Sequence, residues 1–194
     1  IVTSTIPLYF TNFVTGIGGG SGASVTSTAN LFTWCYIGIG ALLQLPIAYI
    51  FTGLRRVQVL MLAMLIWAVG FVLVCVTGNV TSTPLIWGIL ALCILSLATI
   101  MYKPFAAAIV SELAPEALRG SYVAISSQCW AIGYFVGPII GGWAMDQPAA
   151  IADRFWLGAA ATTVVGLLVL QVFQTLHSDT PASLSEEADC VSKT

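Results

Sequence analysis

Apolar residues gather in six long runs, and polar residues fall in the short joints between them. The first run extends from Ile1 to about Ile17 and is rich in threonine. The second runs from about Thr28 to Gly53, the third from Val57 to Thr77, and the fourth from Pro84 to Val110. The fifth runs from Ser121 to Met145 and the sixth from Phe155 to Leu176. About 20 apolar residues in helical form cross the hydrocarbon of a bilayer, and each of the last five runs is at least that long. Lys103 in the fourth run is the only Asp, Glu, Lys or Arg inside any of the six.

Two architectures satisfy every backbone polar group in lipid, the α-helix and the closed β-barrel. Barrel strands are about 10 residues long and alternate in polarity. The stretch from Val59 to Ile66 is apolar at every position, so the pattern predicts helices. The joints carry turn chemistry: Gly18-Gly19-Gly20-Ser21-Gly22, then Gly78-Asn79 with Thr81-Ser82-Thr83, then Asp146-Gln147-Pro148. The expected fold class is therefore an all-α membrane protein, with a transmembrane bundle over residues 1–176. A polar tail of residues 177–194 is expected to be disordered.

Composition agrees. Of 194 residues 58% are hydrophobic and 7% charged, whereas a soluble domain carries about 25% charged residues. Lipid must cover most of such a surface. Net charge is −2, and no basic stripe with interleaved aromatics suggests a nucleic-acid partner. Cys35, Cys75, Cys93 and Cys129 lie within apolar runs and Cys190 in the tail, with no metal-ligand or redox spacing. They read as small buried hydrophobes. No cofactor is implied, and one histidine without an acidic or cysteine cluster leaves little from which to build a membrane enzyme.

Lys and Arg favour the cytoplasmic side of a membrane. The joints after the second and fourth runs carry Arg55, Arg56 and Arg119, and Lys193 is in the tail. The opposite joints carry only Arg154, beside Asp153. The first side is thus expected to be cytoplasmic, with the tail on it. The sequence opens at Ile1 within an apolar stretch, without an initiator Met or a basic leader. The expectation is a truncated first span, preceded by further chain.

Chemistry concentrates between Leu113 and Asp146. Pro115 should end the fourth helix. Arg119 then begins the fifth, where the helix dipole disfavours a cation. It calls for an anion: Glu112, Glu116 or a lipid phosphate. Arg119 and Gly120 read either as a plain topology signal or as a charged latch between helix ends. Gly133, Gly137 and Gly141 recur every four residues on one helical face, with Pro138 and Gly142 beside them. Small residues at that spacing let a second helix approach closely, and Pro138 favours a bend.

LAPEALRG, an aromatic-flanked helix and then GPIIGGWAMD resemble the link between the tenth and eleventh spans of major facilitator transporters, closest to the bacterial drug-efflux branch. The resemblance implies one half, spans seven to twelve, of a twelve-helix fold, the other six-helix half lying upstream in the same protein. First halves carry a strong charged motif after their second span and an Arg in their fourth. Here only Thr52-Gly53-Leu54-Arg55-Arg56 occupies the first place, and the fourth run holds no Arg.

In such transporters the first, second, fourth and fifth helices of a half line a central cavity between two rocking bundles. The cavity candidates are accordingly Tyr9, Asn12, Trp34, Gln44, Tyr102, Lys103, Gln128, Trp130 and Tyr134. Lys103 precedes Glu112 by nine residues, about 13 Å along a helix. It either snorkels toward the surface or faces the cavity to meet an anionic group, and Pro104 should open the helix beside it. No acidic residue lies at mid-span, so a proton acceptor is expected upstream. The implied function is proton-coupled efflux of a small organic solute across the cell (inner) membrane. Uptake of a sugar or organic anion and a non-transporting scaffold or receptor are the alternatives.

Overall fold

In the computed structural model, residues 2–14, 29–30, 32–80 and 83–191 are described, with side chains up to residue 175 except at 48 and 52. The expected Gly18 to Gly22 turn, the start of the second run, and Thr81-Ser82 lie outside the described residues. Among the described residues six α-helices are bounded in order: α1 (Val2–Phe13), α2 (Ile39–Ile50), α3 (Arg56–Asn79), α4 (Pro84–Leu113), α5 (Arg119–Met145) and α6 (Ala149–Val191). Among the described residues there is no strand.

Among the described residues, four helical segments are long and apolar enough to cross a membrane: Arg56–Asn79, Pro84–Leu113, Glu116–Met145 and Ala149–Thr175. The described parts of the first two runs form shorter helices. A π-helical turn, Thr33–Gly38, leads into α2, and its ladder closes with Ile39 N–H donating to the carbonyl of Trp34, five residues back.

The helix ends follow local chemistry. Pro84 takes the first position of α4, where a missing N–H costs nothing. Ahead of Pro115, Ala114 is extended at φ −83° and ψ 125°, as the proline ring demands, and α4 stops at Leu113. Pro104 does not open α4. The helix continues through it, because Met101 and Phe105 on either side are buried against α2 and α3 and hold the helix in register. The sixth helix begins six residues before the apolar run. Asp153 and Arg154, read as joint residues, belong to α6, whose backbone runs on to Val191.

α3 and α4 form the centre, packed on each other along most of their length. α6 covers α3, and α2 covers α4. One apolar cluster joins Tyr9 and Phe10 of α1 with Phe71 and Val74 of α3, Leu92 and Leu95 of α4, Met145 of α5 and Trp156 of α6. A second, with Ile47, Leu60, Ala63, Met101 and Phe105, joins α2, α3 and α4. Gly70 of α3 makes the α3–α4 approach possible, since a Cβ there would lie 2.6 Å from Leu95 Cδ2.

α5 joins the bundle at one end. Gly137, Gly141, Ala144 and Met145 are buried, while every residue from Ser121 to Val136 is exposed except half-buried Ser126. Its main neighbour is α1.

Candidate functional site

Thr99 of α4 organises the middle of the bundle. Its hydroxyl donates to the carbonyl of Leu95 one turn back, at 2.8 Å. The same oxygen accepts from Trp67 Nε1 of α3 at 3.3 Å and lies 3.0 Å from the Tyr36 hydroxyl on the π-helical turn. With its own proton committed to Leu95, Thr99 acts toward both aromatics as acceptor. One turn earlier, Ser96 donates to the Tyr36 carbonyl at 2.7 Å. Gly40 admits this contact: a Cβ there would stand 3.0 Å from Ser96 Oγ. Two hydroxyls of α4 thus pin the irregular entry into α2.

A row of rings starts from this network. Trp67 packs on Tyr102 with centroids 5.0 Å apart, Tyr102 meets Trp130 edge-on at 5.9 Å, and Trp130 stacks on Tyr134 at 5.8 Å. These spacings are those of attractive aromatic pairs. The row passes from α3 through α4 to α5 and ends exposed, with Tyr134 54% accessible. Lys103 follows Tyr102 and sits one turn beyond Thr99, exposed on α4.

Tyr102, Trp130 and Tyr134 therefore come together, while Asn12, Gln44, Lys103 and Gln128 are exposed on α1, α2, α4 and α5. Trp34 is 74% exposed and outside the row. Tyr9 is fully buried and donates its hydroxyl proton to Asp153 of α6, so it lines no open surface of this chain.

The conformational candidates divide likewise. A Cβ on Gly141 would lie 2.0 Å from Thr5 Oγ1 of α1, whereas Gly120, Gly133 and Gly142 have open space where a Cβ would go. Close packing is confined to the Gly137–Gly141 end of the glycine face, because Gly133 lies where α5 is exposed. Pro138 is carried within α5 without ending it. Arg119 begins α5 and is exposed, but Glu112 pairs with Arg56 instead. The Glu112 expectation for Arg119 is corrected, since Arg56 at the start of the adjacent α3 is the cation that meets this acid.

Sequence reasoning passed over Trp67, Tyr36, Thr99 and Asp153. Trp67 was set aside with the third run as a non-lining helix. Thr99 carried a usable signal: it precedes Tyr102 and Lys103 by three and four residues, hence shares their helical face. Asp153 reads in the sequence only as a joint residue beside Arg154.

The sequence profile described as Major Facilitator Superfamily matches residues 1–190 of the chain. No curated protein and no solved structure matches it.

Proposed function

Because the chain belongs to the major facilitator superfamily, we propose that it supplies six helices, one half, of a secondary transporter that exports a small organic solute in exchange for protons by alternating access. Membership makes it part of a multi-pass membrane transporter. The half-bundle, the direction and the coupling are the further reading.

One observation carries that reading. Asn12, Gln44, Lys103 and Gln128 are exposed within apolar helices, and an amide or ammonium left in hydrocarbon is costly. They occur on α1, α2, α4 and α5, the helices that the superfamily's architecture turns toward a central cavity. A water-filled hollow closed by a second bundle relieves the cost. The long exposed side of α5 supports the same arrangement, because a lipid-facing helix has no use for Gln128 beside an aromatic row. The row offers a flat organic solute a stacking surface, and the Gly133 to Gly142 pattern resembles that of the drug-efflux branch. In this reading Arg55, Arg56 and Arg119 mark the cytoplasmic side of the cell (inner) membrane, with the tail on it.

Lys103 favours one second reading, uptake of an organic anion with a cation. Full-length protein in proteoliposomes separates the two. Export by exchange predicts that an imposed pH gradient drives solute accumulation against the direction of proton flow, while counterflow persists without a gradient. Accumulation in the direction of proton flow would support the symport reading, and accumulation indifferent to pH would overturn proton coupling.

A further inference from the structure

Cys35 and Cys93 are 58 positions apart and share no local spacing, yet the fold brings them together. Cys35 lies in the π-helical turn that leads into α2, and Cys93 lies in the third turn of α4. The Cys93 thiol is within hydrogen-bonding reach of Cys35.

Independent contacts set the same register. Tyr36 follows Cys35 directly, and its carbonyl accepts from Ser96, one turn after Cys93, across 60 positions. The Tyr36 hydroxyl meets Thr99 across 63 positions. The turn and α4 therefore run side by side in the same direction, and the separation of the two cysteines falls in that register. Cys35 also packs on the apolar cluster that includes Leu92 and Leu95, which flank Cys93 on α4.

The approach is close enough for a covalent link. A disulfide needs Cα atoms roughly 4–7 Å apart. The backbones of the turn and α4 are near neighbours, and Gly40 allows this, since a Cβ there would stand 3.0 Å from Ser96 Oγ. The hydrogen bonds from Ser96 and to Thr99 hold the Cys35 segment in place, so the thiols need little rearrangement to meet.

The pair is also reachable. Both cysteines are half-buried rather than sealed in the core. Cys93 lies nine residues from Pro84, about 14 Å along the helix, in the half of α4 away from Glu112. In the orientation proposed above, that half faces the non-cytoplasmic side, where disulfides form and persist. The other described cysteines lie elsewhere, Cys75 on α3 and exposed Cys129 on α5.

We propose that Cys35 and Cys93 form a paired-thiol modification site, which hydrogen peroxide converts to a disulfide that staples the π-helical entry of α2 to α4. One thiol gives up its proton and its sulfur attacks a peroxide oxygen; the O–O bond breaks, leaving a sulfenic acid and one water. The second sulfur attacks the first, the S–O bond breaks, and the S–S bond forms. The departing hydroxyl takes the second thiol's proton and leaves as water. Two thiols are oxidised by two electrons in all, and one peroxide is reduced to two waters.

Peptide mass spectrometry of the full-length protein in proteoliposomes tests the site. The protein is treated with hydrogen peroxide, remaining thiols are alkylated, and digestion is carried out without reduction. A peptide joining Cys35 to Cys93 is expected, two hydrogens lighter than its two reduced parts and separated into them by a phosphine. Cys35→Ser and Cys93→Ser should each lose it. Three results overturn the proposal. Both cysteines could be recovered as separate alkylated thiols or sulfinic acids in a sample whose exposed Cys129 is oxidised. Either could be linked instead to another cysteine. The Cys35–Cys93 link could form only after the protein has been unfolded by heat. The wild-type digest decides by itself if a serine variant fails to fold.

Discussion

Arg56, the first residue of α3, and Glu112, next to last in α4, form an ion pair that joins two helix ends. Each residue stands where the helix dipole opposes its charge, a cation at an N-terminus and an anion at a C-terminus. Pairing offsets both penalties. The side chains remain 42% and 59% exposed, so water screens the attraction. Glu112→Gln is expected to cost no more than about 1 kcal/mol. The reversed pair Arg56→Glu with Glu112→Arg should be at least as stable as wild type, since both charges then agree with the dipoles. Thermal unfolding in detergent measures this, and a reversed pair clearly less stable than either single variant would contradict the dipole account.

Gly141 and Thr5 set the contact of α5 with α1. Gly141→Ala would place a methyl group 2.0 Å from Thr5 Oγ1 and 3.0 Å from Thr5 Cβ, too close for rotation of so short a side chain to relieve fully. Overpacking of this kind costs about 1–3 kcal/mol. The Thr5 hydroxyl is buried without a partner, so Thr5→Ala sacrifices no hydrogen bond. The double variant should regain most of the stability lost by Gly141→Ala. Additive losses in a double-mutant cycle would show that the two residues do not meet.

Thr99 serves two aromatic donors at once. Thr99→Val keeps its shape and removes the acceptor, leaving Tyr36 and Trp67 without it. Polar contacts within membrane bundles are worth about 0.6–1.7 kcal/mol, and the variant should lose roughly 1–2 kcal/mol. The near-ultraviolet signal of Trp67 should change with it. Thr99→Ser keeps the acceptor and should lie much closer to wild type; equal losses in Val and Ser variants would refute the hydrogen-bond role.

Lys103 is exposed at mid-span on α4, beside the Trp67–Tyr102–Trp130–Tyr134 row. Lys103→Ala in the full-length protein should slow transport while leaving the amount of folded protein in the membrane nearly unchanged. Normal transport kinetics in this variant would remove Lys103 from the cavity. Trp130→Ala, by shortening the row at its centre, should raise the half-saturating solute concentration more than it lowers the maximal rate.

The helical class was legible because lipid imposes one simple rule. A spanning segment must be long, apolar and internally hydrogen-bonded, and that rule leaves its mark on consecutive residues. Proline positions were legible for the same local reason where they ended a helix, as at Pro115. At Pro104 the local rule yielded to packing by Met101 and Phe105. The candidate site was legible in part. Tyr102, Trp130 and Tyr134 were named as cavity candidates from depth along their helices, and the structure brings their rings into one row, but depth says nothing of which side a residue faces. Tyr9 has the right depth and lies buried against Asp153.

By itself the sequence determined a helical membrane protein, its segment order and the isolated Lys103 within an apolar run, all properties of neighbouring residues. Only the tertiary structure decided that Glu112 meets Arg56, that Thr99 gathers Tyr36 and Trp67, and that Tyr9 reaches Asp153 across 144 positions. Uniformly apolar helices carry little stripe to say which faces meet. Partners there are chosen by small residues such as Gly78 and Gly141, whose missing side chains become readable only when the opposing helix is in place.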